Sequence, residues 1–139
     1  MKFDLSNRLD VKRAISPVSV ADNTAQVSQV FDVQGYLAVA LIIALGSIAD
    51  ADATFTVLLE ESDAAGSGFT AVADADLIGT EALAGFQFDD DNECRKLGYV
   101  GAKRYLRATI TPANNASAAL LSAVWVGSPE NMPAPNPPA

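Results

Sequence analysis

Hydrophobic and polar positions alternate with period two along two stretches of the chain. In residues 54–61, Phe55, Val57 and Leu59 fall on one side and Thr54, Thr56 and Glu60 on the other, the pattern of a half-buried strand. Residues 104–111 repeat it, with Leu106, Ala108 and Ile110 opposite Tyr105, Arg107 and Thr109. A third strand is expected over 119–126, and shorter extended pieces at 69–72 and 85–88. Turns are expected at 63–68 and 111–115, where Gly, Asp, Asn and Pro gather. Many short strands joined by polar turns predict an all-β chain, an antiparallel β-sandwich of jelly-roll-like form.

Two segments depart from simple alternation. From 37 to 45 the odd positions (Leu37, Val39, Leu41, Ile43, Leu45) and the even ones (Ala38, Ala40, Ile42, Ala44) are all apolar. Residues 119–126 nearly repeat this, with Leu120, Val124 and Val126 opposite Leu121, Ala123 and Trp125. A buried helix also suits 36–48, but the bracketing Gly35 and Gly46 favour a strand. At 13 residues the run is well short of the ~20 that a membrane-spanning helix needs. A strand apolar on both faces must be covered on both, by its own chain or by another. A homo-oligomer, such as a trimer, is therefore expected, with Leu37, Val39, Leu41, Ile42, Ile43, Leu120, Val124 and Trp125 as interface candidates.

The ends read differently from the middle. Residues 1–29 are polar and interrupted by Pro17 and Asn23, which predicts an N-terminal arm. Residues 30–128 form the expected β-sandwich domain. Residues 129–139 hold five of the seven prolines and predict an extended Pro-rich C-terminal tail. The start of the chain lacks the apolar core of a signal peptide, so synthesis and folding in the cytoplasm are expected.

Composition removes whole classes of chemistry. With no histidine and one cysteine, His-based catalysis, Cys/His zinc sites and a disulfide framework have no residues to build on. The net charge of −8 opposes binding to nucleic acid or to an anionic membrane. That charge is segregated. Residues 14–94 carry 14 acids and no cation, whereas 95–107 carry five cations and no acid. The cationic run has two readings, a stripe that meets a partner or a set of ion pairs with the acidic block. The acidic cluster at 89–93 lacks the Gly and Glu that a calcium loop of the EF-hand kind requires. Asp50 with Asp52, and Asp74 with Asp76, would share a face if extended; turn formation explains them more simply than glycoside chemistry. No cofactor is expected.

One ordered series of short segments carries a resemblance: RAISPVSV at 13–20, FDVQGY at 31–36, LLEESD at 58–63, FTAV at 69–72, DLIG at 76–79 and GYVGAKRYLR at 98–107. The series resembles small virion structural proteins of tailed bacteriophages, of the capsid-decoration or cement kind encoded near the major capsid gene. The resemblance implies a non-enzymatic particle component and does not itself specify head decoration, a head–tail joint or the tail; a place on the capsid exterior, after synthesis in the bacterial cytoplasm, is the expectation once charge is added. Its implied partners are copies of itself and the major capsid protein or another virion protein. A −8 chain fits the outside of a DNA-filled shell better than the inside. Arg8, Lys12, Arg13, Lys103, Arg104, Tyr105 and Arg107 are then the capsid-contact candidates. A head–tail connector or tail ring protein is the alternative, and a carbohydrate-binding or hydrolytic sandwich a more distant one.

Overall fold

The computed structural model describes residues 1–138; Ala139, the last residue of the expected tail, lies outside them. The strands are β1 (Asp10–Val20), β2 (Gln26–Val27), β3 (Phe31–Asp32), β4 (Tyr36–Ile48), β5 (Thr54–Ser62), β6 (Thr70–Ala71), β7 (Leu77–Ile78), β8 (Phe86–Gln87), β9 (Cys94–Tyr99), β10 (Tyr105–Ala113) and β11 (Ala119–Pro129), with one helical turn, α1 (Glu81–Ala84). All pairings are antiparallel. One sheet has the order β1-β11-β4-β9-β7; the other has β2-β10-β5-β6, with β3 also on β10 and β8 also on β5. The result is the expected all-β arrangement of two facing sheets.

The period-two stretches sit as their patterns require. Phe55, Val57 and Leu59 of β5 and Leu106, Ala108 and Ile110 of β10 point inward and are buried. They meet Leu41, Ile43 and Leu45 of β4 and Leu121, Ala123 and Trp125 of β11 from the other sheet. Aromatic stacking organises the two ends of this core. Trp125 lies on Phe31 at 5.4 Å between ring centroids, and Phe55 on Phe86 at 4.7 Å. The indole N–H of Trp125 donates to the Gln29 carbonyl at 3.1 Å, which removes the cost of burying it unpaired. Pro112 sits within β10 beyond Ile110, where the β2 pairing has already ended, so its missing N–H costs no ladder bond on that side.

The expected N-terminal arm is corrected in its middle. Residues 10–20, placed in the arm, form β1, which runs along β11 from Asp10–Gly127 to Val20–Ala119 and buries Ala14, Ile15 and Val20. Register shifts between Arg13 and Ile15 and between Ile15 and Val18 break the period-two signal, and Pro17 reads as an interruption although it sits on an edge strand. Only the first nine residues precede the sheet. The Pro-rich tail begins inside β11, because Pro129 still pairs with Tyr36. Beyond it, the Ala134 N–H donates to the Asn7 carbonyl at 2.7 Å, and Ala134 is buried. The two ends of the chain thus lie against each other.

The alternation along the chain predicts no strand over β9, which the structure adds to the five-stranded sheet. Leu97 and Tyr99 point inward from it and Cys94, Lys96 and Gly98 outward.

Candidate interaction surface

The two outer faces of the sandwich differ in chemistry. On the β2-β10-β5-β6 sheet the outward residues of the long strands are Thr54, Thr56, Leu58 and Glu60 of β5 and Tyr105, Arg107, Thr109 and Thr111 of β10. This is the hydrated surface expected of a one-core sandwich. On the five-stranded sheet the register places Val11, Val126, Ala40, Gly98 and Ile78 in one row across all five strands. The next row runs Arg13, Val124, Ile42, Lys96 across four strands. Ser122, Ala44 and Cys94 form the one after it, and Leu120 and Ala38 lie at opposite ends of the face along the strands. The centre of this face is apolar and built from small or β-branched side chains. Gly98 sits so close to Ile78, and Gly46 to Leu120, that an added Cβ would clash; these glycines keep the surface low.

No acid occupies an outward position on these five strands. Two cations do, on opposite flanks of the Val124–Ile42 centre: Arg13 on β1 and Lys96 on β9. Three strand spacings separate them, about 14 Å. Arg13 donates only to the Ser16 hydroxyl at 3.3 Å, and among the described residues neither cation is in a salt bridge.

The eight interface candidates therefore divide between the faces of their strands. Leu41, Ile43 and Trp125 are corrected: they point into the chain's own core and are at most 1 % exposed, so they offer nothing to a partner. Val39 also lies on the inward side, partly buried against the core. Ile42, Val124 and Leu120 face outward as required, and Leu37 is 70 % exposed at the start of β4. Sequence reasoning did not pick out Lys96, Val126, Ala40 or Ile78. The alternation of Cys94, Lys96 and Gly98 with Arg95, Leu97 and Tyr99 was the available signal.

The capsid-contact candidates divide as well. Arg104 makes two bonds to the Asp32 carboxylate, at 3.0 and 2.9 Å; this pair is also what holds Asp32 below the usual carboxylate range and Arg104 above its own. Lys103 pairs with Asp63 at 2.5 Å. Arg107 pairs with Glu60 at 2.9 Å and lies over the Phe69 ring, while Tyr105 sits beneath the Arg104 guanidinium. Lys12 is 3.8 Å from Asp10. Arg8 is exposed in the 3-10 turn Ser6–Arg8. Of the two readings of the cationic run, the pairing with the acidic block describes Arg95, Lys103, Arg104 and Arg107.

Several acids of the clusters are engaged as well. Asp90 and Glu93 bind Arg95 at 2.8 and 2.6 Å, and Asp91 accepts from the Ile48 N–H at 2.8 Å. Asp50 accepts from the backbone of Asp52 and Ala116, and Asp74–Asp76 is a 3-10 turn rather than extended chain. No group of three or more potential metal-binding side chains is present among the described residues. Beneath the sheet, near its end, the Tyr36 hydroxyl donates to the buried Asp10 carboxylate at 2.5 Å. Burial first, and then this bond, pushes the Tyr36 phenol up to about 12. Tyr99 is raised for the same two reasons, donating to Glu61 at 2.5 Å.

No protein-family model and no curated protein sequence matches the chain. Among solved structures, the PBSX exported protein XepA is similar with a TM-score of 0.58 and 14 % identity, over 95 % of this chain and 40 % of that one. The chain thus spans less than half of XepA, and the likeness is one of fold. A chain of Broad Bean Stain Virus is more loosely similar, with a TM-score of 0.44 and 12 % identity over 91 % of this chain and 86 % of that one. A Clostridium thermocellum xylanase 10B fragment, of CBM22-1 and GH10 modules, gives 0.46 and 9 % over 91 % and 27 %. No helix of the described residues is long and apolar enough to cross a membrane.

Proposed function

We propose that this chain is a bacteriophage virion structural protein, a capsid decoration or cement protein that binds the outer shell as a homo-oligomer and stabilises the head. The observation that carries the reading is the asymmetry of the sandwich: one outer face is a threonine-rich polar surface, the other an apolar one that no strand or helix of the described residues covers. Its strand and residue spacings give a footprint of roughly 500 Å². That lies within the range of the largest patch on an ordinary monomer, and below the ~800 Å² per partner of a standard interface. A single copy would hold weakly, and several copies joined together would hold at high effective concentration. Leu37 and Val100, exposed around Tyr36 and Tyr99, together with the projecting Phe3 and Leu5, supply apolar surface for contacts between copies. The fold likeness to XepA, a phage exported protein, agrees with this reading, as does the ordered series of phage-like segments. The action is mechanical: each oligomer bridges neighbouring shell subunits and opposes their separation. No substrate, cofactor, membrane or direct nucleic-acid contact is involved.

The test is addition of purified protein to expanded shells that lack it. Saturable co-sedimentation in copy numbers of icosahedral order, with a raised temperature of shell disruption, is expected. Binding of only about six to twelve copies per particle would favour the connector or ring reading. No binding to any part of the particle would refute both.

A further inference from the structure

The decoration reading leaves open which surface meets the shell and what the shell must offer in return. We infer that the outer face of the five-stranded sheet is the docking face for a different protein, one whose own surface is apolar at its centre and edged with carboxylates, rather than for a second copy of this chain. This inference rests on the decoration reading for the identity of that protein, the shell subunit.

Charge decides between the two occupants. The chain carries 17 acids and 9 cations, yet the outward positions of these five strands hold Arg13, Lys96 and no acid. Placing two such faces together would gather four cations around one apolar centre without an anion among the facing residues. Like charges brought together at an interface oppose association, and pairing them with carboxylates favours it. In the 95–107 run the other four cations are paired: Arg95, Lys103, Arg104 and Arg107 each bind an acid of the 14–94 block, while Lys2 and Arg8, which precede the sheet, are in no salt bridge among the described residues. Among the described residues Arg13 and Lys96 have no such acid partner, and both lie on the apolar outer face. The row Arg13–Val124–Ile42–Lys96 asks for apolar side chains opposite its middle and carboxylates about 14 Å apart opposite its ends. On a partner so arranged the contact is sensitive to salt, because the pairs lie at the rim.

The chain supplies its own probe. Cys94, its single cysteine, is exposed and points outward two residues from Lys96. Full-length protein labelled there with a photo-crosslinker is mixed with shells lacking it, and products are identified by mass spectrometry. The expected product joins Cys94 to the shell subunit. The R13E/K96E variant should bind shells about tenfold or more weakly, R13Q/K96Q should fall between it and the wild type, and raised salt should weaken the wild type most. Unchanged circular dichroism and oligomer size establish that the variants are folded. A product joining two copies through Cys94 would overturn the inference in favour of self-association. So would wild-type binding that R13E/K96E leaves unaltered with no shell product at Cys94, and this result would leave the decoration reading standing. Failure of the unlabelled wild type to bind shells would overturn both.

Discussion

Ile42 and Ile43 are neighbours in β4 with identical side chains and opposite surroundings, and they make a sharp paired test. Ile43 is fully buried opposite the second sheet, whereas Ile42 points outward between Val124 and Lys96. Replacing Ile43 by Ala removes three buried carbons, about 2.4 kcal/mol at ~0.8 kcal/mol for each. The cavity left behind adds to this, giving a total within the 2–5 kcal/mol seen for such truncations, about 3–4 kcal/mol here. For a domain of this size that corresponds to a fall in Tm of roughly 10 °C. Ile42→Ala leaves no enclosed cavity and should cost less than about 1 kcal/mol, a few degrees at most. Denaturant unfolding and calorimetry of the isolated protein measure both. Equal losses for the two variants, or a loss at Ile42 that grows with protein concentration, would show that the outer face is already covered in solution by another copy. The assignment of that face to a different partner would then fail.

The remaining predictions concern the polar interior and the paired cations. Tyr36→Phe removes the hydrogen bond to buried Asp10 and should cost about 1.5–3 kcal/mol, read by denaturant unfolding; a neutral effect would mean that Asp10 is satisfied without it. Gly127→Ala drives a methyl group into the Tyr36 ring and should destabilise by about 1–3 kcal/mol, less when combined with Tyr36→Ala. Because the folded phenol of Tyr36 is raised to about 12 from an unfolded value near 10, its contribution is whole below about pH 10 and is lost as pH rises through 12. A titration of phenolate absorbance, compared with Tyr36→Phe, should show a tyrosine ionising near pH 12 as stability declines; ionisation near 10 with stability intact would contradict the buried pair. Lys103→Gln and Arg104→Gln break pairs exposed to water and should each leave the denaturant midpoint nearly unchanged. Both should leave shell binding unaltered, and a large loss in the shell assay would return these residues to the contact surface.

Sequence was informative where one physical rule acted alone. β5 and β10 each bury one face, so their alternation gave both the strand and its inward side. β4 and the first part of β11 are apolar on both faces, and there alternation predicts a strand but not its orientation. Ile42 and Ile43 differ only through the strands that neighbour them, and the division of the interface candidates into core and surface had to come from register. β1 was hidden by its two register shifts and by Pro17, which an edge strand tolerates. β9 was hidden by adjacent Arg95 and Lys96, since one of them turns inward to reach Asp90 and Glu93 at the end of the sheet. Missing β9 also concealed Lys96, the cation that completes the row across the apolar face.

A density map of shells saturated with this protein, at a resolution that separates its two sheets, tests the central claim most directly. The account places Ile42 and Val124 against the shell surface, with carboxylates of the shell subunit beside Arg13 and Lys96. Density that turns the threonine-rich sheet toward the shell, or seats a second copy over Ile42 and Val124, would contradict it.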